Sequence, residues 1–165
     1  MGWLKGAYLR VERVLYDGLR ARADARLAAR ARKHGQRPQP THLITGERGE
    51  DAAFFYLREL GYTVVARRWR SDRLTSDLDL VAWDGPTLVF FEVKTRTARD
   101  LVPAEQQVDP AKQRLLRRMA AAYLNQFPEP HRSHTEARFD VLSVYLLPGG
   151  IEYDHLPNAF PRHVW

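Results

Sequence analysis

The run SDLDLVAWDGPTLVFFEVKTR, Ser76–Arg96, carries two strands and the chemistry between them. Leu78–Trp83 and Thr87–Thr95 have strong β composition and flank Asp84-Gly85-Pro86, a turn signal. With residues 84–87 as the loop, Trp83 faces Leu88, and the same register puts Asp79 opposite Glu92. Side chains alternate along a strand, so Asp77, Asp79, Val81 and Trp83 share one face, and Leu88, Phe90, Glu92 and Lys94 share another. Directly opposed residues bring their Cβ atoms to about 4.5–5.5 Å. Two carboxylates that close repel, and one takes a proton unless a cation sits between them. An oxygen-ligated divalent ion is the simplest compensation, Mg²⁺ by default in a cell. Lys94 lies two residues past Glu92 on the same face, placed to orient a water or stabilise charge on a phosphate. An exposed Glu-x-Lys is ordinarily a solvated face. Here Leu88-Val89-Phe90-Phe91 and Val93 read as a strand buried on both sides, where charges need partners.

The segments on either side supply the rest of the body. Thr45 is a candidate N-cap for a helix over Gly46–Leu60, stopped by Gly61. Glu50, Ala53, Phe54 and Leu57 share one face of it, so Glu50 points toward the sheet, while Glu47 complements the first-turn dipole. Thr63–Trp69 is β-prone, and Arg70–Ser76 is a polar connection. Asp109-Pro110 starts a helix that runs to about Gln126, with Asp as cap and Pro at the first position. Phe139–Leu147 is a strand, Pro148-Gly149-Gly150 a turn and Ile151–Tyr153 a short partner strand. The order α-β-β-β-α-β-β implies an α/β fold, a mixed central sheet flanked by helices.

The 165 residues carry 26 Lys+Arg against 20 Asp+Glu, and no Cys. The missing Cys excludes disulfides and thiolate chemistry. No run approaches the roughly 18 apolar residues of a membrane span, and no secretory signal opens the chain. A cytoplasmic protein without a membrane partner is the expectation. The positive charge is not evenly spread. Residues 1–40 hold ten bases and three acids, whereas residues 41–165 hold sixteen bases and seventeen acids. The chain therefore divides into a basic helical extension and linker, 1–40, and a near-neutral body, 41–165. Leu4, Tyr8, Val11, Leu15 and Leu19 form an amphipathic pattern in the arm, the Ala/Arg-rich helix stops near His34-Gly35, and Gln36–Pro40 reads as a linker. A solvated helix is the plain reading of the arm. A phosphate-tracking arm or a membrane-surface helix are the sharper ones.

Around the acidic pair stand bases. Arg67, Arg68, Arg70 and Arg73 precede it, Arg96 and Arg99 follow Lys94, and Lys112, Arg114, Arg117 and Arg118 lie on the second body helix. Acid at the centre with base around it suits metal-assisted attack on a phosphodiester. Asp140 beside Arg138 reads as a structural pair, and His131 with His134 lacks a third metal ligand.

Gly46-Glu47-Arg48-Gly49-Glu50, Gly61-Tyr62, Asp77-Leu78-Asp79-Leu80-Val81-Ala82, Phe90-Phe91-Glu92-Val93-Lys94-Thr95-Arg96, Lys112 and Arg138-Phe139-Asp140-Val141 together resemble the YraN-like family of small bacterial proteins, over roughly residues 44–155. That family has a restriction-endonuclease-like fold and is related to archaeal Holliday-junction resolvases. The resemblance implies a nuclease site of the PD-D/E-x-K type. Asp79 and Glu92 would ligate Mg²⁺ or Mn²⁺ with the backbone carbonyl of Val93, Lys94 would sit beside the attacking water, and Glu50 would complete the catalytic set. Arg68, Arg70, Arg96 and Lys112 are the expected nucleic-acid contacts. The implied function is a metal-dependent nuclease acting on DNA, with branched or structured DNA among its substrates and a homodimer among its assembly states. The alternative is a non-catalytic nucleic-acid-binding or scaffold protein on the same fold. Ser76-Asp77-Leu78-Asp79 replaces the family's usual Gly-Glu-Ile-Asp, and Arg68 stands where the family tends to have Asn.

Overall fold

The computed structural model describes residues 2–33, 41–99 and 108–162. The linker expected at 36–40 lies outside them. The chain forms two compact units, Met1–Thr45 and Gly46–Trp165. The first is dominated by α1, Gly2–Lys33, one continuous helix.

The second unit carries the sheet. Its strands are β1 (Thr63–Arg70), β2 (Asp77–Asp84), β3 (Thr87–Arg96), β4 (Ala137–Leu147) and β5 (Gly150–Phe160), hydrogen-bonded in that order. Only β3 and β4 run parallel; the other neighbours are antiparallel. The helix α2 (Thr41–Glu59) precedes the sheet, α3 (Pro110–Leu124) lies between β3 and β4, and α4 (His131–His134) is a single turn. The architecture is the α/β mixed sheet with flanking helices that the sequence implies, and it is compatible with a restriction-endonuclease-like fold.

The double burial read from Leu88-Val89-Phe90-Phe91 has a simple origin. Leu88 and Phe90 join Val81, Phe139 and the Leu116, Met119, Ala120 and Leu124 side of α3. Val89 and Phe91 join Leu80, Ala82, Leu142 and the Ala52, Ala53 and Leu57 side of α2. The sheet is thus a middle layer, and alternate residues of β3 feed opposite cores. Asp109 caps α3 by accepting the Lys112 N–H at 2.8 Å. At the other end of α2, Gly61 takes φ +98°, and the Tyr62 N–H returns to the Leu57 carbonyl at 3.0 Å.

Three boundaries differ from expectation. The helix α2 begins at Thr41, a turn before Thr45. The β2–β3 loop is Gly85-Pro86 alone, because Asp84 pairs with Thr87; Trp83 still faces Leu88, so the register is unchanged. Gly85 at φ +55° followed by Pro has the sign pattern of a type II′ hairpin turn. β5 extends to Phe160, well past Tyr153, and pairs along β4.

Asp140 is the buried acid of β4. It accepts Arg138 Nε at 3.0 Å, His155 Nε2 at 2.9 Å and the Asn158 N–H at 3.0 Å. Arg138 also reaches Asp84 at 2.9 Å and the Tyr62 hydroxyl at 3.2 Å. Both oxygens of Asp140 are thus held by structural partners, as the Arg138–Asp140 neighbourhood suggested.

Candidate metal centre

The paired ladder between β2 and β3 ends at Leu80↔Phe91. One step further, beyond the last paired residues, lie Asp79 and Glu92, near enough that the charge of Glu92 acts on Asp79. Here the Asp79 side chain takes over from the ladder: its Oδ2 accepts the Val93 N–H at 2.7 Å. Val93 therefore touches the site through its N–H. Glu92 is buried, and its Oε1 accepts Lys94 Nζ at 2.8 Å. Its Oε2 lies 3.0 Å from Lys112 Nζ on α3. That contact is a close, buried ion pair, although its angles fall outside strict hydrogen-bond geometry.

Glu50 approaches from the α2 side. It accepts a hydrogen bond from Arg68 Nε, and Arg68 also reaches the Glu47 carbonyl at 3.4 Å. Arg68 takes φ +47°, the left-handed region where Asn is several-fold enriched among non-glycine residues. An Arg accepts the strain there and gains a carboxylate partner. Asp51, the next residue of α2, is buried and paired with Arg67, whose guanidinium lies 4.5 Å from the Phe54 ring centroid.

Gly49 explains how Glu50 gets so near. A methyl group built on it would overlap the Thr95 side chain of β3. Only glycine lets the start of α2 rest on that strand. Gly49→Ala is therefore expected to destabilise by about 1–3 kcal/mol, although Ala favours a helix by about 1 kcal/mol over Gly. Thermal unfolding of Gly49→Ala, Thr95→Ala and the double variant checks it. Effects that simply add would mean the two residues do not press on each other.

The carboxylates act on one another. Burial, then the charge of Glu92, pushes the Asp79 carboxyl up to about 7; Glu50 adds to this, while the Val93 N–H and Lys112 oppose it. Burial also raises Glu50, against the Arg68 hydrogen bond and charge, with Asp77 and Asp51 adding repulsion. For Lys112 the order reverses. Burial pulls it down, but Glu92, Asp79 and Asp77 together hold it above an ordinary lysine.

Asp79, Glu92, Lys94, Glu50, Lys112 and Arg68 thus form one interacting cluster. Arg70 stays mostly exposed, 3.6 Å from Asp77, and Arg96 is half-buried at the end of β3. Among the described residues no three Asp, Glu or His side chains stand close enough to cage a metal. A cation here would rest on two carboxylates, backbone and water. The donors are all oxygen, and the buried Glu92 carboxylate raises the neighbouring Asp79 carboxyl, a repulsion that a cation would relieve; both suit Mg²⁺ or Mn²⁺. Sequence reasoning gave Lys112 a phosphate-binding role and missed its contact with Glu92. The signal was the Asp109-Pro110 cap, which fixes Lys112 in the first turn of α3 beside the sheet end.

The model of the uncharacterised protein family UPF0102 matches residues 49–144, from Gly49 through the cluster into β4. The chain belongs to this family. It is the YraN-like family that the motifs resemble. A UPF0102 protein of Koribacter versatilis is 48% identical over 122 residues, 74% of this chain and 82% of that relative. A UPF0102 protein of Solibacter usitatus is 45% identical over 101 residues, 61% of this chain and 74% of its own. One from Geobacter sulfurreducens is 39% identical over 118 residues, 71% and 88% respectively. The UPF0102 match takes in Glu50, Asp79, Glu92, Lys94 and Lys112; the whole of α1 precedes it. No helix among the described residues is long and apolar enough to cross a membrane.

Proposed function

We propose that this UPF0102 protein is a Mg²⁺- or Mn²⁺-dependent nuclease that hydrolyses phosphodiesters of DNA in the cytoplasm, branched or structured DNA included. The observation that carries this reading is the pair of carboxylates Asp79 and Glu92 beyond the last paired residues of β2 and β3, where the charge of Glu92 raises the Asp79 carboxyl.

Asp79 and Glu92 would hold the ion, with the Val93 backbone beside them. A bound divalent ion polarises the phosphoryl oxygen and lowers the pKa of a water. Lys94 donates to Glu92 Oε1 at 2.8 Å, and from that position its ammonium orients water and offsets charge gathering on the phosphate. Glu50, its carboxyl raised by burial against the pull of Arg68, is the group suited to pass a proton. Exposed Arg70 and the Arg96 end of β3 offer cations to the phosphates on either side, and Arg68 and Lys112 line the approach. A homodimer would present two such sites to the two strands of a duplex.

A second reading has its own observation. Glu92 stands between two lysines, Lys94 and Lys112, which balances its charge without any ion. In that case the fold serves nucleic-acid binding or scaffolding alone. Cleavage of flapped, four-way and single-stranded DNA in Mn²⁺ separates the two. The nuclease reading expects metal-dependent products from wild type and a loss of about 100- to 1,000-fold in Glu92→Ala. Equal cleavage by both proteins rejects the assigned residues. No cleavage, together with no heat of Mn²⁺ binding that Asp79→Ala removes, supports the binding role.

A further inference from the structure

The cluster on the sheet leaves α1 unexplained. Along one line of this helix run Tyr8, Val11, Leu15, Leu19, Arg22 and Arg26, spaced by three or four residues. The first four are large, apolar and exposed, at 65%, 60%, 62% and 65%. Val14 beside them is also exposed, whereas Leu9, on the other side of the helix, is buried. Arg22 and Arg26 continue the line and are exposed as well. Asp24 is 3.8 Å from Arg20 and so is engaged away from this line, while half-buried Glu12 borders its apolar part beside Val11. One helix edge is therefore apolar for three turns and cationic for the next two.

We propose that this edge of α1 docks on the surface of an anionic lipid bilayer, with the apolar side chains in the headgroup–acyl boundary and Arg22 and Arg26 on lipid phosphates. The charge is of the right sign, ten bases against three acids over residues 1–40. Arginine suits the role because its guanidinium binds phosphate bidentately and its stem lies along apolar surface. A nucleic acid would satisfy the arginines but leave four large apolar side chains in water. A second copy of α1 would cover the apolar side chains, but parallel pairing sets Arg22 on Arg22, and antiparallel pairing of Leu15 with Leu15 sets Arg22 level with Tyr8, where no acid meets it. A bilayer accepts both halves of the line. The helix lies on the surface, consistent with a chain that has no membrane-crossing helix among the described residues.

Sedimentation of the full-length protein with vesicles tests this. One set is pure phosphatidylcholine, and the other contains about one-third phosphatidylglycerol. Wild type should pellet with the anionic vesicles and remain in solution with the neutral ones. Leu15→Glu with Leu19→Glu should weaken binding by at least about 30-fold. Arg22→Gln with Arg26→Gln should weaken it by about tenfold or more, with the residual binding less salt-sensitive. Both variants should keep the wild-type helix content and unfolding midpoint, because the residues are exposed. Equal binding to the two vesicle types, or wild-type affinity in either variant, overturns the proposal. So does absence of vesicle binding. If the glutamate variant then converts a dimer to a monomer by light scattering, the line is a self-interface. If the glutamine variant instead weakens DNA binding, it is a nucleic-acid arm.

Discussion

At pH 8 without metal, Asp79→Asn unfolds at a higher temperature than wild type, by roughly 5–10 °C. The residue stands in an acidic cluster where its charge is unwelcome. Its carboxyl titrates at about 7 in the folded chain against 3.8 as a free acid, because of burial and then Glu92. Below the lower value both states are protonated, and Asp79 costs nothing. As pH rises from about 4 to 7 the unfolded chain ionises while the folded chain keeps its proton, so stability falls across that window. Above it the full cost applies, at most about 4 kcal/mol. Asn mimics the protonated acid at every pH, and its side-chain oxygen can still accept the Val93 N–H. The stabilisation should therefore be large at pH 8, shrink through pH 6 and vanish below pH 4. Unfolding curves by circular dichroism in chelator across that range measure it. An Asn variant no more stable than wild type at pH 8 would show that the Asp79 charge is already compensated. Adding Mn²⁺ should narrow the gap by stabilising wild type alone, since only it offers both carboxylates. A residue that lowers stability where it sits is what a site selected for binding a cation looks like.

What the sequence disclosed about this cluster follows from the period of a strand. The tight Asp-Gly-Pro turn fixes the register of β2 on β3, and from that alone Asp79 falls beside Glu92. The two cores were equally legible, because a run of four apolar residues in a short strand needs cover on both faces. The contacts from other elements were not. Arg68 reaches Glu50 only because its backbone turns left-handed, and a bulky residue gives no local sign of doing so. Lys112 reaches Glu92 through packing of α3 on the sheet, a distance in space that no spacing along the chain encodes. Gly49 looked like a motif residue, and its reason, the Thr95 side chain, sits on a strand forty-odd positions away. β5 was underestimated because Glu152, Asp154, Pro157 and Asn158 are poor strand formers; the ladder with β4 overrides them.

Glu92→Ala should act in the opposite direction, lowering stability by about 3 kcal/mol. Glu92 is buried, with Lys94 Nζ at 2.8 Å from one oxygen and Lys112 Nζ at 3.0 Å from the other. Removing it strands two half-buried ammonium groups. The two carboxylates thus stand in unequal positions: Glu92 already has the cations, and Asp79 is the surplus anion. Their energies must then be coupled in a way that changes sign. With Glu92 gone, burial still opposes the Asp79 charge but the repulsion added to it is removed, so that charge costs less at pH 8 and Asp79 becomes the nearest counter-charge for Lys112, whose proton it already helps to hold. Asp79→Asn should stabilise the wild-type chain but destabilise the Glu92→Ala chain. Unfolding midpoints of the four proteins at pH 8 in chelator complete the cycle. If Asp79→Asn is stabilising in both backgrounds, desolvation alone sets the Asp79 energy, and the mutual field of the two carboxylates, on which the cation site depends, is too weak to matter.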